Sequence, residues 1–420
     1  MYIQKATLRN IRSISHFEMT FAQPAGWHVL IGDNGAGKTS VVRAIALALI
    51  GPREALGLRF AWQDWLKNSQ NEGFINLVIE PSSEDKHTGK GRRGELKTVA
   101  NELQFKRTND NYVTFSEGNT TKQDPFKYNW GNGSGWFSVA YGPFRRFESG
   151  SPDWPKVFHA QPKLGAHLSV FGEDVALTEA IDWLVKLNYL VLEQKEEGNI
   201  IEYIKQLVNS PDFLPHQAQL FSISSDGVVF KDGNGTTLSV NQLSDGFRSI
   251  LSLTFELIRQ LVRVYGSKQV FQEIAKGNMI IPMPGIVIID EIDAHLHPTW
   301  QTRIGHWFIK YFPNIQFIVT THSPLVCRAC EKGSIWRLTA PGSNEESREI
   351  TGTEKDRLIY GNILDAYSTE LFGQTPVISE ESDAKLERLG RLDMLAAFGN
   401  ISEEEEKERV HLQHIFQTDV

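Results

Sequence analysis

The sequence predicts an α/β protein with a mixed central sheet, flanking helices, an antiparallel β subdomain and a short helical hairpin insertion. Residues 2–21 alternate apolar and polar side chains, which indicates an antiparallel strand pair turning at residues 12–15. The continuous apolar runs 27–31 and 286–289 are typical of strands buried on both faces. Residues 174–208 carry apolar side chains at helical spacing around a charged break, which predicts two short helices instead of a coiled coil.

The strand at 27–31 runs into a glycine-rich loop that fits the pattern G-x-x-x-x-G-K-[ST]. From Lys38 the apolar spacing becomes helical, and the Gly51-Pro52 pair indicates the end of that helix. Strand, glycine loop and helix in this order are the context that a phosphate-binding loop requires. The candidate phosphate-binding residues are Gly32, Asp33, Asn34, Gly35, Ala36, Gly37, Lys38, Thr39 and Ser40.

The chemistry of this loop predicts ATP and Mg²⁺ as its ligands. Glycines let backbone N–H groups face the phosphates, and the N-terminus of the following helix favours negative charge. We expect Lys38 to reach the β and γ phosphates and Thr39 to ligate the magnesium ion.

Two carboxylates follow the second apolar run directly, at Asp290 and Glu291. Both are expected at the carboxyl end of a buried strand, where nucleotide sites of parallel sheets lie. We expect Asp290 to hold magnesium through water and Glu291 to polarise the attacking water. Two acidic residues alone are weak support, but the glycine loop strengthens the interpretation.

The segment between these motifs is predicted to contain short strands separated by polar, glycine-rich loops. The predicted strands are 74–79, 103–105 and 136–141. The loops at 81–94 and 117–134 are expected to be mobile and exposed. A hairpin at 228–240 and a long helix at about 245–264 are predicted to follow.

Beyond residue 351 the sequence pattern predicts a helical tail, with leucines at helical spacing between residues 386 and 395. Ser402 and Glu405 form a capping box that opens a second tail helix. The acidic run 403–406 is interpreted as a solvated helix start, with an acidic docking motif as the alternative. The predicted division is an N-terminal lobe, a hairpin insertion, a C-terminal lobe and the tail, at residues 1–170, 171–240, 241–350 and 351–420.

Composition limits the class of protein. The 420 residues are 40% hydrophobic with a net charge of -8, so a large core is expected, and a basic surface coat is not. The longest apolar stretches are shorter than a membrane span and no secretory signal is recognised, which predicts a cytoplasmic protein. Cys327 and Cys330 have C-x-x-C spacing, but without a second Cys/His pair nearby we expect plain thiols instead of a zinc site.

Two further motifs carry a family resemblance. Leu243-Ser244-Asp245-Gly246, ahead of a long apolar helix, resembles the signature of ABC-type ATPases. Thr321-His322-Ser323-Pro324, after a predicted strand, resembles the switch-histidine segment of that family. The resemblance implies that Ser244, Asp245 and Gly246 bind the γ phosphate of ATP held by another subunit. It also implies that His322 contacts the γ phosphate.

The string Asp290 to Pro298 is similar to D-E-x-x-x-H-L-H-P, which recurs in the SMC/RecF/OLD branch of ABC-type ATPases. In that branch Asp293 belongs to the D-loop, so the resemblance implies that it lies beside the nucleotide. His295 and His297 could be read as metal ligands, but interface and loop-shaping roles are favoured because no third ligand is evident.

Two arginine-containing elements extend the resemblance. Asn10-Ile11-Arg12-Ser13 resembles an N-terminal element of this branch whose arginine approaches nucleotide, against the alternative of an exposed turn cation. The segment 141–146 resembles a Y-G-P-x-R element of bacterial ATPases found beside defence nucleases, so Arg145 or Arg146 could serve phosphate or DNA. The sequence departs from the family pattern at the Q-loop glutamine, for which Gln63 is only a weak candidate.

The resemblance implies an ATP-hydrolysing subunit that closes head to tail around ATP as a homodimer or higher even oligomer. Its similarity to Septu-type and retron-associated antiphage ATPases implies a separate nuclease partner of HNH type, with DNA or RNA as a further ligand and no membrane partner. A RecF-like DNA-repair ATPase without a toxic effector is the alternative. The ATP-binding subunit of a transporter is disfavoured by the long insertion between Lys38 and Ser244.

Overall fold

A computed structural model describes residues 1–87, 98–118, 124–131, 133–144, 160–172, 179–194, 200–224, 227–340, 342–343, 345–362 and 380–416. The chain forms two compact units, Met1–Ile363 and Leu364–Val420. Arg145 and Arg146, the candidate phosphate- or DNA-binding arginines, lie outside the described residues. The finer four-part division of the chain remains a prediction.

The strands are β1 (Tyr2–Ile11), β2 (Ile14–Thr20), β3 (Gly26–Ile31), β4 (Glu72–Glu80), β5 (Val99–Arg107), β6 (Val113–Glu117), β7 (Ser138–Tyr141), β8 (Gln219–Ser224), β9 (Gly227–Lys231), β10 (Thr237–Ser239), β11 (Gly285–Ile289), β12 (Ile315–Thr320), β13 (Gly333–Arg337) and β14 (Arg348–Ile350). The α-helices are α1 (Lys38–Ile50), α2 (Pro52–Ala55), α3 (Pro162–His167), α4 (Glu179–Leu192), α5 (Ile200–Val208), α6 (Asp245–Tyr265), α7 (Ser267–Val270), α8 (Pro298–Tyr311), α9 (Gly352–Tyr360), α10 (Glu380–Ala397) and α11 (Glu403–Phe416).

The central sheet has the strand order β14-β13-β3-β12-β11-β7. Strands β13, β3, β12, β11 and β7 are parallel, and β14 pairs antiparallel with β13 at one edge. Every residue of β3, β11 and β12 is buried, as expected of parallel strands covered on both faces. The mixed central sheet that the sequence predicts is therefore confirmed.

A second, antiparallel sheet has the order β2-β1-β4-β5-β6, and a third, smaller sheet has the order β10-β9-β8. The predicted strand pair is β1 and β2, joined by a tight turn at Arg12 and Ser13. Helix α1 is buried at every residue from Ala44 to Ile50, where it contacts both the antiparallel and the parallel sheet. Its apolar stretch from Val41 to Ile50 thus belongs to the core.

The predicted helical hairpin corresponds to α4 and α5, and the predicted long helix to α6. In the tail, the capping box is present. The hydroxyl of Ser402 accepts from the Glu405 backbone N–H at 3.3 Å, and the Glu405 carboxylate accepts from the Ser402 N–H at 3.0 Å. No helix among the described residues is both long and apolar enough to cross a lipid bilayer.

The expectation of exposed loops at residues 81–94 and 117–134 is wrong for some of their described residues, while others are exposed. Asp85 and Trp130, within these loops, and Trp136, just after the second, are all at least 94% buried. The Asp85 carboxylate accepts from the Trp136 backbone N–H and from the Ser82 hydroxyl, and the Trp130 indole donates to the Ala48 carbonyl at 2.8 Å. Trp130 thus anchors its polar, glycine-rich segment on the first helix, because its large apolar ring favours burial.

Cys327 and Cys330 lie in the helical turns at Pro324–Lys332, and both thiols are buried. Burial raises the pKa of each thiol, so both groups stay protonated and act as small apolar side chains.

Candidate functional site

Three neighbouring parallel strands bring the predicted motifs together at one edge of the central sheet. Strand β12 lies between β3 and β11 in the sheet. The glycine loop follows β3, the acidic pair follows β11, and the switch-histidine segment follows β12. Because parallel strands end at the same edge, motifs nearly 300 positions apart in sequence converge on one cleft.

The glycines of the loop have the backbone angles that the motif requires. Gly35 and Gly37 have φ of 79° and 97°, in the left-handed region that favours glycine. A Cβ built on Gly35 would meet nothing within 4 Å, whereas one on Gly37 would lie 3.2 Å from the Ser13 hydroxyl. The loop therefore presents bare backbone at Gly35, and close packing constrains it at Gly37.

Lys38 is buried inside the loop that precedes it. Its Nζ donates to the carbonyl oxygens of Gly32 at 2.7 Å and Asp33 at 3.1 Å. Burial lowers the pKa of Lys38, while the negative charges of nearby carboxylates, first of all Asp290 and then Glu291, raise it. The ammonium group therefore lies where it can exchange carbonyl partners for phosphate oxygens.

The acidic pair is positioned by a residue of the adjacent strand, Thr320. The Thr320 hydroxyl donates to Asp290 Oδ1 at 2.6 Å and accepts from the Glu291 backbone N–H at 2.8 Å. Asp290 is buried, and its own N–H donates to the Tyr141 carbonyl at 2.8 Å. Glu291 has a φ of 47°, an uncommon left-handed conformation for a residue other than glycine. One hydroxyl thus fixes both acidic positions.

His322 lies beside the same carboxylates. Its backbone N–H points to Asp293 Oδ2 at 3.4 Å. Burial, and after it the positive charge of Lys38, lowers the pKa of His322, while Asp293, Glu291 and Asp290 raise it to a smaller extent. The imidazole is therefore neutral at pH 7, with one nitrogen that donates and one that accepts.

These residues surround a cleft of about 220 Å³, here called the phosphate-loop cleft. It is lined by Ser13, Asn34, Gly35, Gly37, Lys38, Thr39, Ser40, Glu291 and His322. Among the other predicted residues, Asp33 contributes its carbonyl, Ala36 is a buried part of the loop, and Asp290 lies one residue behind Glu291.

Hydroxyl and carboxylate oxygens are the ligands that Mg²⁺ prefers, and Thr39 and Asp290 supply one of each at this edge of the sheet. The buried lysine, the open backbone at Gly35 and the N-terminus of α1 suit a triphosphate. The donor set therefore fits both predicted ligands.

Two lining or supporting residues were not among the predicted site residues. Ser13 lines the cleft from the β1–β2 turn, next to the predicted Arg12. Its position directly after Arg12, in the N-terminal element that resembles a nucleotide-contacting one, could have indicated it. Thr320 offered a weaker signal, as a polar residue at the end of an otherwise apolar strand.

The signature residues line a different cleft, of about 480 Å³, here called the signature cleft. Its lining is Pro215, His216, Ser244, Asp245, Gly246, Phe247, Ile250, His295, Leu296, His297 and Trp300, none of which lines the phosphate-loop cleft. Ser244 is the N-cap residue of α6, and its side chain makes no capping hydrogen bond. Asp245 pairs with Arg248.

The histidines of the D-loop segment help to shape the signature cleft. His295 has a φ of 64°, and a Cβ built on Gly246 would lie 2.6 Å from the His295 carbonyl oxygen. His297 is the N-cap of α8, with Nδ1 accepting from the Thr299 N–H at 3.3 Å. Asp293 keeps one buried carboxylate oxygen without a hydrogen-bond partner among the described residues.

Arg12 lines a third cleft, which adjoins the phosphate-loop cleft at the shared residue Ser13. Its guanidinium lies 5.5 Å from the centroid of the Trp65 ring, and its backbone has a φ of 51°. Gln63 lines the same third cleft. The weak Q-loop candidate and the arginine are therefore neighbours beside the phosphate loop, while their contact with nucleotide remains a prediction.

Comparisons with known families support the motifs. A family model described as "AAA domain, putative AbiEii toxin, Type IV TA system" matches residues 145–328. A second model, described as an AAA domain, matches residues 5–149. The first match includes the signature, the acidic pair and the switch histidine, and the second includes the phosphate loop.

Among characterised relatives, the chain is 45% identical over 128 residues to the retron Ec83 probable ATPase of Escherichia coli, covering 30% of this chain and 22% of the relative. It is 25% identical over 359 residues to the Septu protein PtuA of Bacillus mycoides, covering 84% of this chain and 42% of the relative. The chain thus spans less than half the length of either relative.

Among solved structures, a Smc head bound to the C-winged helix domain of ScpA aligns with 85% of this chain and 100% of its own. The TM-score is 0.48 and the identity 17%, so this likeness decides nothing about function. The sheet topology, the phosphate loop and the two AAA-domain matches decide the class. The chain has the sheet order, phosphate loop and AAA-domain matches of a P-loop ATPase, and it resembles the Septu and retron-associated ATPases.

Proposed function

We propose that the chain binds ATP with Mg²⁺ and hydrolyses it to ADP and phosphate in the phosphate-loop cleft. The observation that carries the proposal is the meeting of Lys38 and Thr39 with Glu291 and His322 around one cleft. Magnesium, when bound, neutralises charge on the phosphates. Lys38 stabilises the charge that develops on the γ phosphate, and Glu291 orients and polarises the attacking water.

We infer that Thr39 and Asp290 hold the magnesium, Asp290 through water, and that His322 contacts the γ phosphate. A neutral imidazole beside Glu291 can donate one hydrogen bond to a phosphate oxygen while accepting another from water. The hydrogen bonds of Thr320 support this assignment because they keep Asp290 and the Glu291 backbone in one arrangement. Turnover is proposed to be slow unless a second copy supplies the remaining contacts.

We propose that two copies assemble head to tail around ATP. Ser244 and Gly246 line a cleft that shares no residue with the phosphate-loop cleft of the same chain. The resemblance to ABC-type ATPases implies that such signature residues act on the nucleotide of a second copy. A complete site then needs the phosphate loop of one copy and the signature of its partner.

We further propose a role in antiphage defence, in which this ATPase regulates or positions a nuclease partner of HNH type on nucleic acid in the cytoplasm. The similarity to a Septu protein and to a retron ATPase supports this role. ATP occupancy, more than rapid turnover, would report to the partner whether the dimer is closed.

The test uses Glu291→Gln, which keeps the size of the side chain but removes the base. We expect this variant, purified with ATP from cells that carry the neighbouring genes, to trap an ATP-bound assembly with an even number of copies. Native mass spectrometry gives the stoichiometry, and Glu331→Gln, on an exposed surface glutamate, serves as the control.

A nuclease at fixed stoichiometry would support the defence role. A lone ATP-dependent dimer whose turnover rises with DNA would favour a RecF-like repair ATPase instead. Normal hydrolysis by a monomeric Glu291→Gln protein would refute the assignment of Glu291.

A further inference from the structure

Two residues of a strained turn at Pro215–Gln217, Pro215 and His216, line the signature cleft. The turn joins α5 to β8, and no sequence motif marks it. His216 has φ of 53° and ψ of 31°, and Gln217 has φ of 58°, so two consecutive residues other than glycine are left-handed. Such conformations are strained, and they persist only where the surroundings hold them.

The surroundings of this turn are well packed. A Cβ on Gly233, in the β9–β10 turn, would lie 2.4 Å from the His216 carbonyl oxygen, so the two backbones are in close contact. Just before the turn, the Phe213 carbonyl accepts from the Trp307 indole of α8 at 3.0 Å. The backbone is therefore closely packed at His216 and is tied to α8 three residues earlier.

The side chain of His216, in contrast, is exposed and lines the cleft. Its ring has no hydrogen-bond partner among the residues that the structure describes. It lies in the same cleft as Ser244 and Gly246, at the N-terminus of the 21-residue helix α6. A helix N-terminus and an imidazole donor in one cleft form a combination that suits phosphate oxygens.

A metal ion is a poor alternative occupant, although His216, His295 and His297 all line this cleft. Within the described part of the chain, no group of three or more His, Cys, Asp or Glu side chains is arranged to hold one. The His297 ring is also engaged with Thr299. No lysine or arginine lines the cleft, so an imidazole is the side chain best suited to donate to phosphate.

We propose that His216 is a nucleotide-binding residue that acts in trans, contacting the phosphates of ATP held in the phosphate loop of the partner copy. The inference rests on the proposed head-to-tail dimer. It adds to the signature a contact from a separate element, the α5–β8 turn. The strained backbone then serves to fix the imidazole at the mouth of the cleft.

The experiment separates the two copies of a mixed dimer. A copy carrying Lys38→Ala cannot use its own phosphate loop, so the one working site combines the other copy's loop with the signature cleft of the Lys38→Ala copy. His216→Asn removes the imidazole while keeping a residue that tolerates left-handed backbone. It is introduced either into the Lys38→Ala copy, supplied in large excess, or into the copy with the intact loop.

We expect ATP turnover to fall about 10-fold, the value of one charge-assisted hydrogen bond, when His216→Asn is on the Lys38→Ala copy. Turnover should stay unchanged when it is on the other copy. Gln217→Ala is the matched control, since Gln217 shares the strained turn but does not line the cleft. Equal loss in both arrangements, or no loss in either, overturns the proposal.

Ser244→Arg in the same two arrangements tests the underlying dimer. If Ser244→Arg acts only from the Lys38→Ala copy while His216→Asn has no effect, the dimer stands and the role of His216 is refuted. If Ser244→Arg acts equally from both copies, the head-to-tail dimer itself is refuted.

Discussion

The phosphate-loop cleft and the signature cleft differ in the kind of groups that line them. The first combines a buried lysine with the Glu291 carboxylate and several hydroxyls at the edge of the central sheet. The second is larger and is lined by a helix N-terminus, three histidines and apolar side chains, without a lysine or arginine. Only the first carries the cation that a triphosphate needs for tight binding.

Under the proposed assignments, nucleotide affinity and assembly depend on separate parts of the chain. The buried Lys38 and its neighbouring carboxylates form a charge cluster. Removal of one member would leave the others without a compensating charge. The signature cleft has no such charge cluster, and its residues are positioned mainly by backbone packing at Gly246 and His216. Substitutions in the two clefts should therefore fail in different ways.

The largest expected effect is that of Lys38→Ala on ATP binding. Loss of two charge-assisted hydrogen bonds to phosphate should weaken the affinity by about 1,000-fold. Isothermal titration calorimetry with Mg²⁺ and ATP measures this change. Lys310→Ala, which removes an exposed lysine of α8, should leave the affinity unchanged. Undiminished binding by Lys38→Ala would mean that the triphosphate lies elsewhere.

The second prediction separates binding from assembly through Gly246→Ala. The new Cβ would lie 2.6 Å from the His295 carbonyl oxygen, so the start of α6 must shift relative to the D-loop segment. Because a misplacement of about 1 Å can cost 10²-fold, turnover and ATP-dependent dimerisation should fall about 100-fold, while single-chain ATP affinity persists.

Gly390→Ala is the matched control for this substitution, since Gly390 is also helical and a Cβ there would meet nothing within 4 Å. Analytical ultracentrifugation with and without ATP measures the dimer. Equal loss of binding and dimerisation in Gly246→Ala would show that the two clefts are not independent.

The sequence predicted the parts of the site that depend on local patterns. The loop from Gly32 to Thr39 and the pair Asp290-Glu291 are continuous motifs beside strongly apolar strands, so their elements were correctly expected. Thr320, and His216 in its proposed role, depend on neighbours that are distant in the chain and cannot be read from local sequence patterns. The burial of Asp85 and Trp130 was also missed. The surrounding glycines and polar residues are typical of exposed loops, and the tertiary contacts that bury these two side chains leave no local pattern.

The smallest expected effect concerns Thr320, which joins the two acidic positions. Thr320→Val keeps the shape of the side chain but removes the hydroxyl that donates to Asp290 and accepts from the Glu291 N–H. We expect kcat to fall about 10-fold with little change in ATP affinity, because about 1.4 kcal/mol of transition-state stabilisation depends on the alignment of Glu291. Steady-state turnover and calorimetry separate the two quantities.

Thr320→Ser restores the hydroxyl and should recover most of the activity, which a purely steric role of Thr320 would not predict. If Thr320→Val instead lowers affinity and leaves kcat unchanged, the hydroxyl supports magnesium binding by Asp290 more than the position of Glu291. The effect of Thr320 on the phosphate-loop cleft would then lie in ground-state binding of magnesium and ATP.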